Sequence, residues 1–139
     1  MPRGKEYAEP DAELDAIAHE VIGAAIAVHT ALGPGYLEKI YEEALCIELT
    51  KRGIKFVQQH RVQVSYDGQV LGEGIIDLFV EGRLVVELKA VSKVAPVHFA
   101  TVMSYLKDVK EPLGLILNFQ SALMKDGTHR VIFSKHINA

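Results

Sequence analysis

Cysteine is nearly absent from this chain of 139 residues, and Cys46 is its single representative. One thiol excludes an internal disulfide and a cysteine-rich zinc site, and it suits a reducing compartment. Long hydrophobic runs are also missing. The longest apolar stretch, Val21 to Leu32, covers about twelve residues and includes His29, too few to cross a bilayer. The opening Met1-Pro2-Arg3-Gly4-Lys5-Glu6 lacks the apolar centre of an export signal. A cytoplasmic protein without membrane attachment is therefore expected. There are no repeats, low-complexity tracts or long linkers, so a single domain over residues 11–139 is expected. A flexible leader over residues 1–10 would precede it, marked by Pro2, Gly4 and Pro10. His19, His60, His98, His129 and His136 show no zinc-ligand spacing. Gly33-Pro34-Gly35 lacks the glycine-lysine pair that would make it a phosphate loop.

What is present is the material of a globular fold. Hydrophobic residues make up 49% and charged residues 24%, enough for a core and too apolar for a disordered tail. The net charge of −3 is unevenly spread. Residues 1–50 carry ten acids and three bases, giving −7, and residues 51–139 carry eight acids and twelve bases, giving +4. The bases of the second half include Lys89, Lys93, Lys107, Lys110, Lys125, Arg130 and Lys135. They allow either a positive groove for nucleic acid or an ordinary solvated surface.

Periodicity divides the chain into helices first and strands second. After Asp11, a suitable helix cap, apolar residues recur at helical spacing from Leu14 through Ala18, Val21, Ala25 and Val28 to Leu32. Gly33-Pro34-Gly35 stops that helix. A second helix is predicted from Tyr36 to Arg52, burying Leu37, Ile40, Tyr41, Ala44, Leu45 and Leu49 and closed by Gly53. Strands are predicted at Arg61–Tyr66, Val70–Val80 and Leu84–Val91, the first two joined by the hairpin signal Asp67-Gly68. Pro96 opens a third helix through Asp108. Leu113–Phe119 reads as a strand covered on both faces, and Val131–Phe133 as an edge strand. His29 on an apolar helical face reads as a hydrogen-bonded core residue, and Cys46 as packing rather than a nucleophile.

Two neighbouring strands carry ionisable residues inside apolar runs: Asp77 in Gly74-Ile75-Ile76-Asp77-Leu78, and Glu87 with Lys89 in Leu84-Val85-Val86-Glu87-Leu88-Lys89. Buried charge needs a partner or a coordinated ion, so these interruptions call for an explanation. Residues two apart on a strand share a face, which places Glu87 with Lys89. Asp77 joins them if the loop between the strands holds an odd number of residues, as in a three-residue loop with Gly82 left-handed. Two carboxylates and the Leu88 carbonyl would suit a hard cation such as Mg²⁺ or Mn²⁺. Lys89 would position a water or stabilise developing negative charge. A cross-strand salt bridge with no chemistry is the competing reading.

Asp77 followed by Glu87-Leu88-Lys89 resembles the D…(D/E)xK signature of the PD-(D/E)xK, or restriction-endonuclease-like, nuclease superfamily. The segment Gly35-Tyr36-Leu37-Glu38-Lys39-Ile40-Tyr41 resembles the hallmark of the GxxExxY branch of that superfamily. The likeness continues through Tyr105-Leu106 and Gly114 to Phe119, and covers roughly residues 14 to 120. It implies an α/β fold with a three-layer α/β/α core around a mixed sheet. It also implies metal-dependent cleavage of phosphodiester bonds in DNA or RNA, with Mg²⁺ or Mn²⁺ as cofactor. Asp77 and Glu87 would be metal ligands, Lys89 the catalytic lysine and Glu38 the acidic residue brought by the preceding helix. By position alone, Glu38 is also a carboxylate in a first helical turn, favoured there without any chemistry. Ile76 stands where the superfamily's name has proline, and Thr101 where relatives often carry a glutamine that would order the lysine or a water. A catalytically inactive nucleic-acid-binding or protein-interaction module on the same fold is the alternative. No motif sets the oligomeric state, and a homodimer is the working expectation.

Overall fold

The computed structural model describes residues 9–133. Most of the expected leader, together with Lys135 and His136, lies outside the described residues. The elements run α1 (Ala12–Leu32), α2 (Glu38–Lys51), β1 (Phe56–Tyr66), β2 (Gln69–Val80), β3 (Leu84–Lys89), α3 (Pro96–Val109), β4 (Leu113–Asn118), α4 (Met124–Gly127) and β5 (Thr128–Ile132). The five strands form one sheet in sequence order. Only β3 and β4 are parallel, across the α3 connection; the other neighbours are antiparallel.

Two apolar clusters sandwich this mixed sheet. On one face Leu14, Ala18, Val21 and Val28 of α1, and Tyr41, Leu45 and Leu49 of α2, meet Leu78, Val80, Val86, Leu88, Leu115 and Leu117. On the other, Val102 and Leu106 of α3 meet Val62, Ile76, Val85, Ile116 and Val131. The architecture is therefore the expected three-layer α/β/α arrangement. All six residues of β4 are buried, in keeping with a strand covered on both faces. By length and composition α1 could cross a membrane, with 21 residues and a mean hydropathy of 1.2. Here its apolar stripe covers the sheet.

Local signals set several boundaries. The Asp11 carboxylate accepts the Leu14 N–H at 2.8 Å and caps α1. Asp67 and Gly68 both take positive φ, 52° and 79°, as a tight hairpin turn demands. His29 behaves as a core residue, its Nε2 2.8 Å from the Ser121 carbonyl oxygen. Burial and the nearby Glu43 and Glu42 carboxylates push the Cys46 thiol up to about 11, so it stays an inert packing group.

Other boundaries move. Helix α2 begins at Glu38 rather than Tyr36, because the chain spends residues 33–37 in a loop. Gly35 adopts φ 116°, a conformation a side chain would resist. The Tyr41 hydroxyl then donates to the Gly33 carbonyl and accepts the Tyr36 N–H. Leu37 is consequently 78% exposed and Ile40 46% exposed, so neither belongs to the core as expected. Strand β1 starts five residues earlier than the pattern suggested, at Phe56, because Gln58 and His60 pair with Leu78 and Ile76 despite their polarity. Strand β3 ends at Lys89 rather than Val91, and β5 starts at Thr128 rather than Val131.

Candidate active site

The site forms where two strands part. Strands β2 and β3 are paired over three residues only, Leu78↔Val86, Phe79↔Val85 and Val80↔Leu84. The loop between them is the three residues 81–83, with Gly82 at φ 68°, which is the odd spacing that brings Asp77 opposite Glu87. Beyond Leu78 the ladder stops, and side chains replace backbone partners. The Glu87 carboxylate accepts the Asp77 N–H at 3.0 Å, and the Asp77 carboxylate accepts the Leu88 N–H at 2.9 Å. These bonds satisfy amides that the parting strands would leave unpaired.

The two carboxylates do not meet by simple alternation. Leu78 lies in the cluster under α1 and α2, yet Ile76, two residues earlier, lies in the cluster under α3. Strand β1 turns over at the same level. Gln58 reaches Glu42 on α2, whereas His60 stacks on Phe79 at 4.9 Å. The pivot is the pair Gln59 and Asp77. Gln59 has φ 55°, a left-handed conformation that costs a non-glycine residue about 1–2 kcal/mol. This reversal aims Asp77 into the gap beside β3. Strand parity foresaw the meeting of the two acids but not the route.

Burial gives the pair its electrostatics. Desolvation, and then the Asp77 charge, push the Glu87 carboxyl up to about 8. Burial raises Asp77 as well, with Glu42 adding repulsion and the Leu88 amide opposing it. Glu38, at the N-terminus of α2, is raised by burial; Lys89 opposes that shift and Asp77 and Glu42 reinforce it. The four residues named for the site, Glu38, Asp77, Glu87 and Lys89, are therefore one electrostatic cluster. Lys89 attracts all three acids, although among the described residues it closes no ion pair with them. Tyr105 borders the cluster from α3, raised by burial and by the Glu87 charge.

A hard cation would find oxygen donors here. No group of three or more His, Cys, Asp or Glu side chains is arranged to hold a metal among the described residues, so an ion on Asp77 and Glu87 would take its other donors from the backbone or from water. Leu88 provides one. The N–H and C=O of one strand residue point to the same edge, and the Leu88 N–H points at Asp77. Its carbonyl therefore also faces the gap, whereas the next carbonyl, Lys89, turns to β4 and accepts the Phe119 N–H at 2.9 Å. Asp77, Glu87 and the Leu88 carbonyl make an all-oxygen set beside an excess of buried negative charge, and that set suits Mg²⁺ or Mn²⁺.

Three residues at the site escaped the sequence reading. Glu42 is 4% exposed, and its Oε2 accepts from Gln58 Nε2 at 2.7 Å and Gln59 Nε2 at 3.0 Å. Gln59 Nε2 also lies 3.4 Å from Asp77 Oδ1. Helical spacing held a signal for Glu42, since it follows Glu38 by four and shares its face. The two glutamines gave none, because they interrupt an apolar pattern as a loop would. Thr101 donates its hydroxyl to the Val97 carbonyl at 2.9 Å, turned back along α3.

A five-stranded mixed sheet between helical layers, opened at one strand pair around acid, acid and lysine, defines a restriction-endonuclease-like fold. The chain belongs to the PD-(D/E)XK nuclease superfamily, whose family model matches residues 15–131. No curated protein matches the chain. Nucleases of this superfamily generally use divalent metal ions and act on nucleic acid.

Proposed function

We propose that the protein is a divalent-metal-dependent nuclease that hydrolyses phosphodiester bonds of DNA or RNA. The observation that carries this reading is the pair of half-buried Asp77 and buried Glu87, joined through the Asp77 N–H and both raised by desolvation. The Asp77 charge adds to the shift of Glu87, and the Glu42 charge to that of Asp77. Such a pair holds more negative charge than its surroundings stabilise, and a hard dication relieves it. Asp77, Glu87 and the Leu88 carbonyl would hold Mg²⁺ or Mn²⁺, which when bound polarises a phosphate oxygen and acidifies a water. Lys89, attracted by Glu38, Asp77 and Glu87, would orient the attacking water and meet the charge that builds on the phosphate. Glu38, held beside Lys89 by the first turn of α2, accepts a hydrogen bond from water and keeps it in line. Substrate phosphates on the basic second half of the chain would meet Lys93 and Lys107, neither of which closes an ion pair among the described residues.

One observation favours the alternative, a catalytically silent nucleic-acid-binding or interaction module. Thr101 commits its hydroxyl to the Val97 carbonyl, leaving no helix α3 amide to order Lys89. A cleavage assay on single- and double-stranded DNA and RNA with Mg²⁺ or Mn²⁺ separates the two. Lys89→Ala is expected to lower cleavage about 10²–10³-fold while Mn²⁺ still binds, since lysine is not a ligand. Wild-type protein that binds Mn²⁺ but cuts none of these substrates supports the silent module. Wild-type protein that binds neither ion refutes the metal site.

A further inference from the structure

Resting on the metal site just described, we infer that Gln59 is a positioning residue that fixes the Asp77 carboxylate for the cation, with buried Glu42 as its anchor. Gln59 is the β1 residue directly opposite Asp77, at the level where β1 and β2 exchange faces. Its single amide nitrogen reaches two carboxylates, Glu42 Oε2 at 3.0 Å and Asp77 Oδ1 at 3.4 Å. Two ionised carboxylates only accept hydrogen bonds, so an amide nitrogen between them is the orientation that satisfies both. The Leu88 N–H already holds Asp77 Oδ2. Gln59 therefore pins the second oxygen, and the carboxylate plane of Asp77 is defined from both ends.

The choice of an amide has a physical reason. A lysine or arginine in this place would bind Asp77 and Glu42 more strongly, but its charge would repel a dication. A glutamine donates two hydrogen bonds and adds no charge, so the site keeps its attraction for the ion. The longer contact, to Asp77, leaves that oxygen free to ligate. The anchor is firm, because Glu42 is buried and also takes the Gln58 amide at 2.7 Å. Gln59 holds a left-handed φ of 55° at the level where β1 changes face, and in that conformation its amide lies between the two acids. Outer-shell partners of this kind commonly set metal affinity by 10–100-fold.

The test compares Gln59→Gly with Gln59→Asn and Gln63→Ala in the full chain, using Mn²⁺ alone by calorimetry and thermal melting in a chelator. Glycine removes the side chain and relieves the backbone, and asparagine tolerates the left-handed conformation but cannot span the two acids. Both variants are expected to melt at or above the wild-type temperature without metal, yet to bind Mn²⁺ about 10-fold or more weakly. Gln63→Ala, at an exposed glutamine further along the same strand with no part in the site, is expected to bind Mn²⁺ within about 2-fold of wild type. A merely structural role for Gln59 would lower the melting temperature and spare Mn²⁺ affinity, and that result overturns the inference. Unchanged affinity in both Gln59 variants overturns it too, with the metal site intact. Failure of wild type itself to bind Mn²⁺ refutes the metal site and this inference together.

Discussion

Replacing Glu87 with glutamine should remove most of the pH dependence of stability over the neutral range. In the folded protein the Glu87 carboxyl is pushed up to about 8, against an ordinary value of 4.5 in the unfolded chain. Between those values the native state binds a proton that the unfolded state does not, so stability falls as pH rises. Each unit of that window is worth about 1.4 kcal/mol, and the loss from pH 4.5 to 7 is about 3 kcal/mol. Asp77 and Glu38 are raised in the same direction and add to the trend at its acidic end. Glu87→Gln keeps an oxygen that can accept the Asp77 N–H but carries no charge to desolvate. In chelator-treated protein, urea unfolding from pH 5 to 8 should show wild type weakening steadily and Glu87→Gln staying nearly level. By pH 8 the variant should be the more stable of the two by a few kcal/mol. Comparing the two proteins at each pH cancels every group they share. Wild-type stability that is flat or rising over this range, or an equal slope in Glu87→Gln, would refute the electrostatic argument.

Tyr41→Phe deletes the hydroxyl that donates to the Gly33 carbonyl and accepts the Tyr36 N–H, and should cost about 1–2 kcal/mol, read as a lower urea midpoint. The stacking of that ring on Phe119 at 4.7 Å is kept, so the core should remain ordered in near-ultraviolet circular dichroism. Gly114→Ala places a methyl 2.9 Å from Val102 Cγ1 and 3.2 Å from the Val85 carbonyl, closing the space between β4, β3 and α3. Backbone on one side cannot yield, so about 1–3 kcal/mol of destabilisation is expected in the same denaturation assay.

Much of this protein was legible from short-range physics. Asp11 caps a helix through its own side chain, Asp67-Gly68 forces a hairpin, and the glycines around Pro34 end α1, because each acts on atoms a few residues away. The continuous apolar runs Leu84–Val86 and Leu113–Leu117 announced covered strands for the same reason. The acids and lysine of the site were visible as charges inside those runs, and the odd loop set Asp77 level with Glu87. The face reversal that completes their meeting was not legible.

Tertiary packing alone decided the rest. The gap after Leu78↔Val86, the face reversal at Gln59 and Asp77, and the burial of Glu42 between two glutamines all join segments separated in the chain. Nothing in Gln58-Gln59-His60 distinguishes a polar loop from a strand until Glu42 stands opposite it. The elevation of Glu87 is likewise no property of glutamate or its neighbours in sequence. It arises because three layers exclude water from a carboxylate and press a second one against it, and desolvation exists only once the layers have closed.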